Sequence, residues 1–170
     1  MTPINRTEIL QNPIRMSKWL FFLLPSLLFL AACSKNEEVY MHSLDGKWNK
    51  KDRQIFTFEI KDAQPKNIVF VVRNNNDYPY SNLRLFSTLL KKGDKQAATD
   101  TLNYLMAKPN GEWLGSGFGE TREILFQYKT NFRFPTPGTY TVTVHQAMRK
   151  DILPGIEDFG IRIEPSSNLK

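Results

Sequence analysis

A two-layer all-β sandwich of about eight strands, immunoglobulin-like or jelly-roll-like, is the fold this sequence predicts. Three features carry the expectation. Apolar and polar residues alternate with a period of two in segment after segment. Proline and glycine fall between those segments. No stretch beyond residue 33 repeats apolar residues at helical spacing. The chain has 170 residues, 41% of them hydrophobic, which suits one packed domain and excludes a wholly disordered chain.

The strands follow in order. In Gln54–Lys61, Phe56, Phe58 and Ile60 share one face and Thr57, Glu59 and Lys61 the other, because successive side chains point to opposite sides of a strand. Asn67–Asn74 is nearly continuous β-branched and aromatic sequence, as a central strand covered on both sides requires. Asn82–Leu90 and Ala98–Met106 flank Lys91-Lys92-Gly93-Asp94-Lys95, whose glycine and charges suit a hairpin tip. Ile124–Tyr128 and Asn131–Phe134 are two short strands, Thr139–Ala147 alternates Tyr140, Val142 and Val144 with Thr141, Thr143 and His145, and Phe159–Glu164 closes the set. Pro65, Pro79, Pro109, Pro135, Pro137 and Pro154 lie between strands, where a missing N–H breaks no ladder. Pro135 to Tyr140 has the turn-then-strand pattern of many immunoglobulin-like sandwiches, and Asn74-Asn75-Asn76 reads as a turn, since Asn tolerates positive φ.

Ahead of the sandwich stands an address. Trp19 to Ala32 carries no charge and follows Arg15 and Lys18. As a helix it would span about 21 Å, short of the roughly 30 Å hydrocarbon layer. A basic lead, a short apolar run and a small-residue end make a secretory signal peptide, not a transmembrane anchor. Leu30-Ala31-Ala32-Cys33 then reads as a bacterial lipobox. Leu30, Ala31 and Ala32 would be recognised by the signal peptidase, and Cys33, the one Cys in the chain, would carry the lipid, because only a thiolate is nucleophilic enough to accept it. Met16 is a candidate start, since Met1 to Arg15 is a long polar lead. The expected organisation is residues 1–32 as signal peptide, 33–45 as lipidated Cys and flexible tether, 46–165 as the sandwich and 166–170 as a C-terminal tail. Ser34-Lys35-Asn36-Glu37-Glu38 is loosely like a surface-export tag, which leaves periplasmic and surface exposure both open.

Chemistry is sparse. One Cys and two His cannot supply a four-ligand zinc or an iron–sulfur site, so no metal and no cofactor is expected. The net charge of +6 is mild, and in an exported chain it does not indicate nucleic acid. Gly115-Ser116-Gly117-Phe118-Gly119 lacks the spacing and Lys of a phosphate loop and the elbow of a Ser hydrolase. It reads as a tight connection packing Trp113 or Phe118 against the end of the sandwich. Lys47, Lys50, Lys51 and Arg53 surround Trp48 in a basic cluster, read as a solvated loop. Neither Glu37/Glu38 nor Glu157/Asp158 has an acid–base context, so no enzyme is expected. The aromatics between strands are the better lead: Tyr78, Tyr80, Trp113 and Phe118 are candidate partner-binding loop residues, for a protein or, alternatively, as stacking platforms for a glycan.

Five segments carry a resemblance: Gly46–Asp52 (GKWNKKD), Arg73–Leu83 (RNNNDYPYSNL), Gly111–Glu120 (GEWLGSGFGE), Phe134–Val142 (FPTPGTYTV) and His145–Glu164 (HQAMRKDILPGIEDFGIRIE). Together, behind a lipoprotein signal, they resemble the gliding motility-associated lipoprotein GldH family of Bacteroidetes from about Tyr40 to Glu164. The resemblance implies a non-catalytic lipoprotein anchored in the cell envelope, expected at the outer membrane. It further implies a structural or assembly role in gliding, beside other gliding lipoproteins and the linked type IX secretion apparatus. Cys33 is the one functional residue it transfers.

Overall fold

A computed structural model describes residues 37–166. Their strands are β1 (Glu38–Ser43), β2 (Lys47–Asn49), β3 (Gln54–Ile60), β4 (Lys66–Asn74), β5 (Asn82–Lys91), β6 (Thr99–Leu105), β7 (Arg122–Phe132), β8 (Gly138–Gln146), β9 (Ile152–Pro154) and β10 (Ile156–Pro165). Every pairing is antiparallel, and the pairs are nested: β1 with β10, β2 with β9, β3 with β8, β4 with β7 and β5 with β6. The chain is thus one long two-stranded ribbon, tipped by the β5–β6 hairpin and rolled so that β10 also pairs β4 and β8 also pairs β5. Rolling yields two four-stranded sheets, ordered β1-β10-β4-β7 and β3-β8-β5-β6, with β2-β9 as a separate two-stranded ribbon. Of the two sandwich types expected, this is the jelly roll, and the immunoglobulin-like alternative falls.

The inner faces match the alternation. Phe56, Phe58 and Ile60 of β3, Tyr140, Val142 and Val144 of β8, and Ile68, Phe70 and Val72 of β4 are all buried. Phe159 of β10 sits at the hub. Its ring lies 5.0 Å from Trp48, 5.4 Å from Phe70 and 6.1 Å from Phe56, which joins both sheets and the short ribbon in one aromatic cluster. As its near-continuous apolar sequence predicts, β4 is covered on both sides: Val69 and Val71 are buried as well.

Four features depart from the sequence reading. Glu38–Ser43, inside the expected tether, is a strand; it pairs along β10 from Glu38↔Ile163 to Ser43↔Asp158 and covers what would otherwise be a bare central-sheet edge. Ile124–Tyr128 and Asn131–Phe134 are not two strands: β7 runs through to Phe132 and absorbs the break as register shifts opposite Lys66–Val69. Asn131 takes φ 51° there and donates its backbone N–H to Asn67 Oδ1 at 2.9 Å. β2 and β9 were not expected, being only three residues each. Finally, β10 begins at Ile156, not Phe159. Leu30, Ala31, Ala32, Cys33 and residues 167–170 lie outside the described residues.

Candidate partner-binding end

Ser43 and Asp158 mark one end of the roll, and the connections β4–β5, β6–β7 and β8–β9 all turn there. Three of the four candidate aromatics meet in the first two. Tyr78 stands 5.9 Å from Tyr80 and 6.1 Å from Trp113, ring to ring. Yet Tyr78 is only 2% exposed, so it is a core residue and not a binding one. Its hydroxyl donates to the Asn82 carbonyl at 2.7 Å, and burial holds its pKa well above that of a free tyrosine. The cause is the excursion between β6 and β7, which folds back over the Tyr78 ring. Ala107 bridges Trp113, and the Leu114 N–H donates to the Met106 carbonyl at 2.8 Å. Trp113 is half-buried and donates Nε1–H to Asn76 Oδ1 at 3.2 Å. A stacking platform of Tyr78, Tyr80 and Trp113 therefore lacks its central ring.

Phe118 behaves in the opposite way. It is 98% exposed, the most exposed of the large apolar residues described, so it does not pack against the sandwich as the sequence reading allowed. The loop that carries it is nonetheless fixed. Ser116 and Glu123 exchange backbone hydrogen bonds of 3.1 and 2.7 Å, and Arg122 Nη1 donates to the carbonyls of Gly119 at 2.7 Å and Thr121 at 3.1 Å. The glycines allow this flat packing. A Cβ on Gly115, whose φ is 106°, would lie 2.2 Å from the Glu123 carbonyl oxygen, and one on Gly117 would lie 2.1 Å from that of Thr121. An apolar ring held in water on a pinned loop loses little entropy on being covered, which is how an interface anchor gains affinity.

Beside that ring an open cleft of about 560 Å³ is lined by Arg73, Phe118, Thr121, Glu123, Glu157 and Asp158. Arg73 Nε lies 2.8 Å from Glu123 and its Nη1 3.6 Å from Asp158, an ion network across β4, β7 and β10. The hydrogen bond to Glu123 raises the Arg73 pKa further. Glu157 accepts a hydrogen bond from Asn75 Nδ2. The cleft can offer carboxylate oxygens and one guanidinium to a polar partner beside the apolar Phe118. Sequence reading missed this grouping, because Arg73, Glu123 and Asp158 come together only through the pairing of three strands.

The remaining candidates are structural. His42 shares a hydrogen bond with Gln54 Oε1 through Nδ1 at 2.9 Å and stacks on Phe56 at 4.5 Å. His145 faces Phe86 edge-on at 5.5 Å on the outer side of the other sheet, and partial burial, then Arg53, lowers its pKa. Among the described residues, no group of three or more His, Cys, Asp or Glu is placed to hold a metal ion. Trp48 is fully buried and donates Nε1–H to the Asp52 carbonyl at 2.9 Å, while Lys47, Lys50, Lys51 and Arg53 around it are exposed.

Comparison with known proteins bears on all of this. Residues 36–163 match the sequence profile of the family described as GldH lipoprotein. A gliding motility lipoprotein GldH homolog of Christiangramia forsetii is 39% identical over 156 residues, covering 87% of this chain and 96% of the relative. The gliding motility lipoprotein GldH of Flavobacterium johnsoniae is 33% identical over 151 residues, covering 84% of this chain and 93% of the relative. Among solved structures, the VP2 subviral particle of infectious bursal disease virus aligns over 81% of this chain and 35% of its own, at 13% identity and a TM-score of 0.34. The Tobacco streak virus coat protein dimer aligns over 82% of this chain and 92% of its own, at 10% identity and a TM-score of 0.26.

Proposed function

The chain belongs to the GldH lipoprotein family, and from that premise we propose that it serves gliding motility as a structural or assembly lipoprotein of the cell envelope, acting through protein contacts and not through catalysis. In this reading the signal peptide ends at Leu30-Ala31-Ala32, Cys33 carries the lipid, and the anchor sits in the outer membrane. Two or more acyl chains, at about 0.8 kcal/mol per buried methylene, hold such a protein to a bilayer for its lifetime. Its work is linked to type IX secretion and to neighbouring gliding lipoproteins.

One observation carries the protein-contact reading: Phe118, almost fully exposed on a loop pinned by four hydrogen bonds, at the rim of a charged cleft. A ring so placed has no role in the fold, and covering it removes apolar surface from water without ordering a loop. The test is deletion and complementation in a motile host. Wild-type protein restores spreading, surface-adhesin display and type IX secretion, Cys33→Ser fails for want of an anchor, and Phe118→Ala folds but restores them poorly. Deletion that leaves all three traits intact overturns the role, and full rescue by Phe118→Ala moves the contact elsewhere.

A further inference from the structure

We infer that the outer face of the sheet β3-β8-β5-β6 is a self-association surface, on which a second copy of this chain packs face to face. The contact goes beyond the Phe118 reading and depends neither on it nor on the lipid anchor.

The first argument is the charge of the face. In each of its strands every second side chain points outward, and the registers arrange these side chains in rows. Ile55, Thr143, Thr88 and Thr99 form the central row, one residue from each strand. Thr57, Thr141 and Leu90 flank it on one side, and His145, Phe86 and Thr101 on the other. At the chain's average of 24% charged residues, ten outward positions would carry two or three charges. These carry none at neutral pH, because partial burial and then Arg53 hold His145 below its ordinary 6.5. Arg53, Glu59 and Arg84 stand around them, Glu59 opposite Thr139 and Arg84 opposite Asn103. An uncharged centre inside a charged rim is the anatomy of a protein interface.

The other sheet is built differently. Its outer side is crossed by the row Ser43, Asp158, Arg73 and Glu123, and two rows on Arg162 pairs with Glu37 and Glu164. Charge there runs across the middle of the sheet, not around it.

The second argument is that the groups present fit a copy of themselves. A hydroxyl both donates and accepts, so one threonine meets another without mismatch, as Thr57 and Thr141 already do across β3 and β8 at 3.2 Å. Ile55 and Phe86, 52% and 37% exposed, supply apolar surface between the hydroxyls. A second copy brings no like charge to the centre, whereas a strongly charged partner finds nothing there to pair with. Four strands about 4.8 Å apart, over about eight residues at about 3.3 Å each, make a face of about 19 by 26 Å. Two such faces bury about 1,000 Å², the lower bound for a specific contact, so the dimer is weak, with a Kd on the order of tens of micromolar. Phe118 and its cleft lie beside β4, β7 and β10 of the other sheet, so the pair leaves both Phe118 loops free for a partner.

Sedimentation equilibrium of the full protein, purified from membranes in excess detergent, tests this up to about 500 µM, well above the expected Kd. The parent chain shows a monomer–dimer equilibrium. Thr143→Lys, which sets two like charges near the centre of the contact, weakens it at least about tenfold, and Thr88→Lys on the next strand does the same. Gln127→Lys, on the outer side of the other sheet, leaves it unchanged, as does Phe118→Ala, so this contact and the Phe118 contact fail separately. A parent that stays monomeric, a folded Thr143→Lys or Thr88→Lys chain that pairs as tightly as the parent, or equal weakening by Gln127→Lys overturns the proposal. A second arm works in intact envelopes. Packed sheets lie about 10 Å apart, beyond a disulfide but within reach of a short bis-maleimide. With Thr143→Cys that reagent yields a species of twice the monomer mass whose peptides come from this chain alone. A product joined to a different protein assigns the face to that protein and overturns the dimer.

Discussion

Replacing Phe159 with Ala removes the ring that Trp48, Phe56 and Phe70 share. Its side chain is wholly buried, and its partners come from β2, β3 and β4, so a cavity there cannot be closed by moving one strand. Truncating a buried Phe costs about 3–5 kcal/mol through lost transfer and the void left behind. The aromatic pairings add about 0.5–1.5 kcal/mol each, not additively, which places Phe159→Ala near the upper part of that range, about 4–5 kcal/mol. Against a total stability of about 5–15 kcal/mol this is a large share. At about 3–5 °C per kcal/mol for a domain of this size, Tm falls by about 12–25 °C. Urea unfolding of protein lacking the signal peptide, followed by Trp fluorescence, measures it. A loss below about 1.5 kcal/mol with an unchanged m-value would show that the hub relaxes freely and that the two sheets do not depend on it.

Other outcomes follow from the same structure. Phe118→Ala, removing the most exposed of the large apolar residues described, changes stability by less than about 0.5 kcal/mol in the same assay; a loss above 1 kcal/mol would mean the ring packs in the fold after all. Asp100 is partly buried, which pushes its carboxyl up, but the hydrogen bonds from Lys129 and Tyr128, each 2.8 Å, outweigh that and lower it below its ordinary 3.8. A group depressed on folding contributes stability that is present above the unfolded value and lost as pH falls through the folded one. Urea midpoints therefore drop below about pH 4 in the parent and drop less in Asp100→Asn, and identical pH slopes would remove Asp100 from the acid response. Starting the chain at Leu44 strips β1 from β10 and bares the ladder from Ile163 to Asp158. Light scattering then shows self-association of a still-folded domain, and a stable monomer would mean the edge is protected by other means.

What could be read from the sequence divides along a physical line. The strands β3, β4 and β8 announce themselves because each faces the core over seven or more residues, so burial writes the period of two, or a continuous apolar run, into the chain. β1 does not. As an edge strand with its side chains half-exposed, its residues answer mainly to backbone pairing with β10, which any sequence can supply. The three residues of β2 and of β9 are too few to show a period at all. The site follows the same rule. Phe118 was readable as an aromatic among glycines, but its exposure against the burial of Tyr78 depends on how the loop from Met106 to Thr121 folds back, and the cleft depends on three strands meeting. Local pattern encodes faces; it does not encode partners far along the chain.

Nesting also governs how the molecule can form. Among the described strands, the β5–β6 hairpin is the only pair whose members adjoin closely in sequence, while β1 must wait for β10, 125 residues later by the Glu38↔Ile163 register. Each outer pair closes a longer loop than the one inside it, and that entropy is lost before the contact is gained. Folds dominated by such separations refold in about milliseconds to seconds, not microseconds. Inner pairs close first, so a substitution in the hairpin, such as Leu85→Ala at a fully buried position, slows refolding, while one in the outer pair, such as Ile161→Ala, mainly speeds unfolding. Stopped-flow chevrons of the two variants decide it. If Ile161→Ala slows folding as much as Leu85→Ala does, the ends of the chain meet early, and the jelly roll does not close from its tip outward.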